Sequence, residues 1–401
     1  MKIKLPESVE LIIRILEDSG YEAYAVGGCV RDAVMGRIPN DWDITTSAKA
    51  DEVKAIFNKT IDTGIKHGTV TVMIGGVGYE VTTFRVDGEY EDGRHPKEVQ
   101  FTDNLTLDLE RRDFTINAMA YNNRTGIVDK FDGMGDIDRR IIRCVGDPLA
   151  RFSEDALRIL RAVRFAAQLD FQIDEDTISA IKTLKGNLSK ISRERIQVEM
   201  DKLLMSDKSD KVYLLHSTGV IGVVFDETDS TIITKSDKWW KDTAKIVKGT
   251  PKNHYIRWAA LFRDEEKPEA AVRSLKFDNK TLNIVSKLVK NSKTYPDAKA
   301  AAVRRHMCVV GADIYQMYLD YMESVCETDV CQVRKIYNEI IKNGDCLSIG
   351  DMQIKGSDLK EIGIEPGKAM GEVLGKLFDM VLDNPEKNNK EELIKKAKEF
   401  A

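Results

Sequence analysis

Asn40-Asp41-Trp42-Asp43-Ile44 is the stretch on which the reading of this chain turns. In an extended strand, residues i and i+2 leave the same face. A strand over Asp41–Thr45 therefore presents Asp41 and Asp43 together and turns Trp42 and Ile44 to the core. Two carboxylates this close repel each other unless cations lie between them, and a pair of hard divalent ions such as Mg²⁺ meets that need. Such a pair clamps the attacking and leaving oxygens of a phosphoryl transfer. Asp-x-Asp alone reads more readily as a polar turn after Pro39-Asn40, and it is the neighbours that reverse this.

Upstream stands Val26-Gly27-Gly28-Cys29-Val30-Arg31-Asp32. It reads as a strand (Tyr24–Val26), a glycine turn and a helix running from Val30 to Met35. Gly27 and Gly28 let backbone N–H groups approach a triphosphate, the helix start favours its charge, and Arg31 adds a fork of donors. A helix carrying Val9, Ile12, Ile13 and Leu16 precedes this unit, and another is expected from Lys49 to Phe57. Downstream, Thr69–Ile74 and Tyr79–Phe84 alternate as a hairpin, and Glu80 sits between apolar neighbours as a third candidate carboxylate.

Gly-Gly-x-Val-Arg-Asp, then Asp-x-Asp-Ile-Thr-Thr, then an acid between hydrophobics resembles the DNA polymerase beta-like nucleotidyltransferase head. More closely it is similar to the class II tRNA CCA-adding enzymes and their bacterial poly(A) polymerase relatives. The resemblance implies an α+β fold: this head, followed by an elongated all-α neck, body and tail. It also implies template-free addition to the 3′ end of tRNA from CTP and ATP, with Asp41 and Asp43 as the metal ligands and Glu80 beside them. Arg111-Arg112-Asp113-Phe114-Thr115-Ile116-Asn117-Ala118 matches a further family motif. By that match Arg112 contacts the nucleotide, while Arg111, Asp113 and Asn117 support the local geometry, as Asp32 does beside Arg31.

Ser153-Glu154-Asp155-Ala156-Leu157-Arg158 opens a helix expected over Ala156–Leu169. Its plain reading is Ser153 as N-cap, two acids in the first turn, and Leu157, Leu160, Ala162 and Val163 as the packed side. The spacing does more. Glu154 and Arg158 are four apart and pair, fixing the guanidinium plane, and Asp155 lies near the same face. An acceptor beside a donor matches the amino and ring-nitrogen edges of cytosine and adenine. Uracil and guanine present the reverse order, and each mismatched group costs on the order of 1–3 kcal/mol. The family's Glu-Asp-x-x-Arg motif coincides with Glu154, Asp155 and Arg158, and the resemblance adds nucleotide or phosphate contacts for Arg161 and Arg164. Between Arg139 and Arg164 stand seven arginines against three acids, a cationic seam within a chain of net charge −5. The helix at Ser192–Met200 resembles a motif that supports this one.

The 401 residues are 42% hydrophobic and 32% charged, enough apolar material for more than one core. Charges break up the first residues, so no signal peptide is expected, and no apolar run has the length of a membrane span. Six scattered cysteines without a CxxC pair read as reduced thiols of a cytoplasmic protein. Strand signals fade after Asp136, and helices are expected at Arg193–Leu204, Tyr255–Phe262, Met307–Met322, Gln332–Asn343 and Met370–Leu382. The expected domains are a catalytic head (1–137), a nucleotide-selecting neck (138–204), a body (205–300) and a tRNA-binding tail (301–401). The tail's Gly356-Ser357-Asp358-Leu359 and Gly363-Ile364-Glu365-Pro366-Gly367-Lys368 resemble low-GC Gram-positive members. Arg263-Asp264 stands where some relatives carry a His-Asp phosphohydrolase motif, so that activity is not expected.

Two groups of rivals stay open. On the same scaffold, poly(A) polymerase or addition of only CC or only A would use the same motifs. The charged loop Asp87–Gln100, which the resemblance makes a mobile element in switching from C to A, favours complete CCA or A addition. Of a different class are a non-catalytic tRNA-binding protein and nucleotidyl transfer to a small molecule. Retention of both aspartates argues against the first, and the long helical body against the second.

Overall fold

The computed structural model describes residues 1–88, 99–226 and 230–400. Most of the loop expected at Asp87–Gln100 lies outside the described residues. Two compact units divide the chain: Met1–Glu227 with Lys235–Ala244, and Thr228–Thr234 with Lys245–Ala401.

The first unit opens with α1 (Glu7–Asp18), which buries Val9, Ile12, Ile13 and Leu16 as their spacing requires. Then follow β1 (Ala23–Val26), α2 (Gly28–Val34), β2 (Ile44–Thr46), α3 (Ala50–Ile56), β3 (Thr60–Gly64), β4 (Thr69–Ile74) and β5 (Val77–Thr83). After them come β6 (Arg85–Asp87), β7 (Val99–Phe101), α4 (Leu105–Glu110), β8 (Met119–Asn122), β9 (Gly126–Asp129) and α5 (Gly133–Arg139). Seven strands form one sheet in the order β3-β4-β5-β2-β1-β8-β9, and β6 pairs with β7 separately. The middle strands β2, β1 and β8 are buried along their whole length. Both faces of the sheet are therefore covered there, and these strands carry the core.

Among these strands, three expectations change. The second strand begins at Ile44, so Asp41 and Asp43 sit on its extended approach; Val26 N–H still donates to the Asp43 carbonyl at 3.0 Å, which continues the ladder. Trp42 is half-buried against a groove lined by Leu5, Pro6 and Ala33, outside the sheet core. The outer residues of the expected loop are ordered pairs, Val86 opposite Gln100 and Asp87 opposite Val99.

Helices take over next: β10 (Ile141–Ile142), α6 (Pro148–Glu154), α7 (Leu157–Leu169), β11 (Gln172–Ile173), α8 (Glu175–Leu184), α9 (Arg193–Leu204), α10 (Tyr213–Ser217), α11 (Val220–Val224) and α12 (Asp237–Gly249). Ser153 is not a cap. It lies inside α6, which Asp147 caps by accepting from Leu149 N–H at 3.0 Å, with Pro148 in the first turn. The sequence there makes two helices with Asp155 at the joint, where its side chain accepts from Leu157 N–H at 3.0 Å and opens α7.

The second unit holds α13 (His254–Leu261), α14 (Pro268–Ser274), α15 (Asn279–Lys290), α16 (Ala300–Val310), α17 (Tyr315–Val325), α18 (Cys331–Asn343), α19 (Gly356–Glu361), α20 (Lys368–Asp383) and α21 (Lys390–Phe400). The helix expected at Met307–Met322 is two, broken at Gly311, whose φ of +111° leaves the helical region. Leu359, Leu377, Val381 and Leu393 knit α19–α21 into one apolar cluster. No helix among the described residues is long and apolar enough to cross a membrane.

Candidate active site

The β1–α2 turn sets one wall. Gly27 has φ +82°, which glycine adopts without strain. It also approaches a guanidinium so closely that a Cβ there would lie 2.9 Å from Arg112 Nη1. Arg31, one turn into α2 and buried, donates to Asn117 Oδ1 at 2.6 Å and pairs with Asp32 at 2.8 Å. Asn117 in turn donates to Asp113 Oδ1 at 3.0 Å.

Asp41 and Asp43 line one open cavity of about 710 Å³ together with Gly27, Gly28, Arg31 and Arg112. Asp43 keeps a solvent-facing surface, but the surrounding protein partly desolvates its carboxyl. That desolvation pushes its pKa above the ordinary range; Arg112 opposes the shift, and the Asp41 charge adds to it. Glu80, exposed on β5 opposite Thr71, lines an adjoining cleft with Asp41 and Asp43. Among the described residues, no group of three or more His, Cys, Asp or Glu gathers as a metal cage. Glu80 thus neighbours the aspartate pair without completing a three-carboxylate cluster.

The arginine pair hangs from a buried acid that the sequence reading did not single out. Asp108 on α4, fully buried, accepts from Arg111 Nε at 3.0 Å, Arg112 Nη2 at 3.3 Å, Thr45 Oγ1 at 3.2 Å and Arg85 N–H at 3.3 Å. Burial alone would raise its pKa, yet the two guanidiniums hold it below the usual carboxylate range.

Glu154 and Arg158 pair as their spacing predicts, Nη1 to Oε2 at 2.5 Å. Arg158 also donates to the Arg151 carbonyl at 3.0 Å and the Arg111 carbonyl at 2.8 Å, which fixes its plane. Asp155 is held separately: its Oδ2 accepts from Arg195 Nη2 on α9 at 3.1 Å. Asp155 and Arg158 both line the cavity, each held by its own partner. Arg195 completes an arrangement that the sequence reading assigned only to a supporting helix.

Deeper in, Arg161 Nε donates to Asp113 Oδ2 at 2.8 Å. Burial would lift the Asp113 pKa, but Arg161 and Asn117 bring it down to about 2. Arg164 pairs with Glu199 at 3.0 Å, and burial lowers its pKa to about 10. Phe165 packs beside them and lines the same space.

Eight cationic side chains and four carboxylates line this cavity, so its balance is strongly positive although the chain is acidic. Every nucleotide-binding candidate of the sequence lines it: Gly27, Gly28, Arg31, Arg112, Asp155, Arg158, Arg161 and Arg164. So do Arg111, Asp113 and Asn117, while Asp32 and Glu154 act through the arginines they pair with. Asp108, Arg195, Glu199, Phe165 and Lys202 were missed. Their one signal is charge or a ring at helical spacing, which also describes an ordinary amphipathic face.

Residues 23–143 match the poly A polymerase head domain family, 170–232 the family described as the RNA- and SrmB-binding site of polymerase A, and 252–397 tRNA nucleotidyltransferase domain 2. The CCA-adding enzyme of Leuconostoc mesenteroides is 37% identical across 100% of this chain and 99% of its own. That of Ligilactobacillus salivarius is 38% identical across 99% and 98%. The crystal structure of the Bacillus stearothermophilus CCA-adding enzyme in complex with CTP superimposes with a TM-score of 0.83 at 32% identity, covering 99% of this chain and 98% of that one. Identity of this size, end to end, means that the chain belongs to the class II family of tRNA CCA-adding nucleotidyltransferases.

Proposed function

We propose that this enzyme adds C, C and A in turn to the 3′ end of tRNA, taking CTP and ATP into the cavity without a nucleic-acid template. The observation that carries the proposal is the junction in one cavity of an aspartate pair with an acceptor and a donor, Asp155 and Arg158, each locked by its own partner. The CTP complex of the Bacillus stearothermophilus relative supports a nucleotide as occupant.

Asp41 and Asp43 would hold two Mg²⁺ ions. The fit rests on both carboxylates lining one open cavity: Asp43's charge is disfavoured there first by desolvation and further by the Asp41 charge, and cations would relieve both. When bound, the metal pair supplies charge neutralisation and an acidified hydroxyl. The protein's own part is positioning. The primer's 3′-hydroxyl meets the α-phosphate in line, and pyrophosphate leaves toward the arginines that line the cavity. Asp155 accepts the amino group of cytosine or adenine while Arg158 donates to the neighbouring ring nitrogen. Uracil and guanine set acceptor against acceptor. Glu80 is a nearby assistant. We assign the head, neck, body and tail to residues 1–137, 138–204, 205–300 and 301–401, with tRNA held by the tail, and place the reaction in the cytoplasm.

The test is to incubate the protein and Mg²⁺ with tRNA lacking its last three nucleotides and to resolve products one nucleotide at a time. Growth by C, C and A followed by a halt is expected, and loss of all growth in Asp43→Ala. A long adenylate ladder would make it a poly(A) polymerase. Addition of A only to tRNA ending in CC would make it half of a split pathway, and no growth by the unaltered protein would leave a binding protein.

A further inference from the structure

Three guanidiniums surround one aromatic ring in the active cavity. Phe165, on α7 and almost wholly buried, meets Phe114 edge-on, with ring centroids 5.8 Å apart at 82°. The Cζ atoms of Arg164, Arg31 and Arg161 lie 4.1, 5.1 and 5.4 Å from the Phe165 centroid. All four residues line the cavity.

Each arginine also has its own carboxylate: Arg31 with Asp32 at 2.8 Å, Arg161 with Asp113 at 2.8 Å, Arg164 with Glu199 at 3.0 Å. The carboxylates hold the edges of the guanidiniums, and the shared ring sets where their planes converge. Three like charges drawn together repel. The repulsion is offset by the carboxylates and by the negative face of the ring, an attraction an aliphatic side chain of similar bulk lacks. Among the described residues Arg164 Nε is buried with no hydrogen-bond partner, a donor left unsatisfied, as are Arg112 Nε and Arg195 Nη1 elsewhere on the cavity wall. A convergence of cations with a spare donor fits a compact polyanion. It has no feature that reads a base.

We propose that Phe165 is a positioning residue that gathers Arg31, Arg161 and Arg164 into a fan for the triphosphate of the incoming nucleotide, whichever base it carries. The inference rests on the nucleotidyl-transfer reading above and adds a residue to it.

The test replaces Phe165 in the full chain with phenylalanines carrying one to four ring fluorines. Fluorine drains the negative face stepwise while changing ring shape little. Calorimetry with Mg²⁺ present then reads the Kd of CTP, ATP and inorganic tripolyphosphate. All three are expected to weaken together, by about tenfold at the most fluorinated ring. The CTP-to-UTP affinity ratio should stay constant, and the melting temperature should fall only slightly, since the carboxylates still hold the three guanidiniums. Phe165→Leu, which keeps apolar bulk but has no negative face, should bind as the most fluorinated ring does. Constant affinities across the series would overturn the proposal. So would weakening for CTP but not for tripolyphosphate, which would move the ring's role to the base. Because binding is read without turnover, failure of the primer-extension assay strikes the functional reading and leaves this test intact.

Discussion

Asp155 and Arg158 are adjacent in the motif but are governed by different neighbours, and that separates their failures. Arg158 has three anchors on α6 and the Arg111 backbone; Asp155 leans on one arginine from α9 and one backbone N–H. Removing Arg195 therefore loosens the acceptor and spares the donor. Arg195→Ala should lower discrimination of CTP against UTP about tenfold, the effect of one weakened contact, while single-turnover rates with CTP change less. Unchanged UTP misincorporation would show that Arg195 does not set the acceptor. Asp113 makes a pH-dependent claim. Its folded pKa of about 2 lies below the ordinary 3.8, so its stabilisation is complete above about pH 4 and is lost as pH falls towards 2. The pH-linked part is about 2 kcal/mol. Urea unfolding of the unaltered protein and Asp113→Asn should differ most at pH 7, with the gap narrowing at pH 3; a gap that widens in acid would contradict the assignment. Both acids were legible by motif. Asp108 was not, because nothing in Leu-Asp-Leu-Glu distinguishes an acid pointing inward at two arginines from one in water.

Among the elements, β1 and α2 came through from sequence because Gly-Gly punctuates them, and α1 because its apolar spacing is unbroken. Boundaries fared worse where local chemistry offered two answers. Ser153 looks like a cap until Asp147-Pro148 is seen to start a helix six residues earlier, and Gly311 is tolerable inside a helix until its φ of +111° ends one. The parallel pairing of β2 with β5 was out of reach, since no local signal tells which distant strand becomes the neighbour. The β1–α2 turn allows an element-scale test with a built-in control. Gly27 and Gly36 both have positive φ, +82° and +70°, so alanine at either is strained, by about 1 kcal/mol at Gly36 and by more at Gly27, whose ψ of −131° lies outside the left-handed well. At Gly36 an added Cβ meets nothing within 4 Å, whereas at Gly27 it lies 2.9 Å from Arg112 Nη1. Thermal unfolding should therefore show a loss for both variants, larger for Gly27→Ala, while only Gly27→Ala weakens CTP binding. Equal loss of binding in both would mean that strain in α2, and not the approach to Arg112, carries the effect.

For the whole molecule, net charge and local charge point in opposite directions, and an ionic-strength series tells which governs substrate capture. The chain carries −5, which taken as a sphere would repel a nucleoside triphosphate. Its active cavity is lined by twice as many cationic side chains as carboxylates, all from the first unit. The sequence already hinted at this, since seven of its arginines fall between Arg139 and Arg164. It could not show that Arg31, Arg111 and Arg112 join Arg158, Arg161 and Arg164 from the other side of the fold. Raising monovalent salt from about 0.1 M to about 1 M shortens the screening length from about 10 Å to about 3 Å. If the cavity field draws the triphosphate in, that change should raise the Kd of CTP several-fold and slow its association. The buried pairs that shape the site, Arg161 with Asp113 and Arg164 with Glu199, are shielded from salt and should hold, so the CTP-to-UTP ratio should stay level. If overall charge ruled instead, screening would relieve repulsion and CTP would bind more tightly as salt rises. The sign of the slope decides between the two.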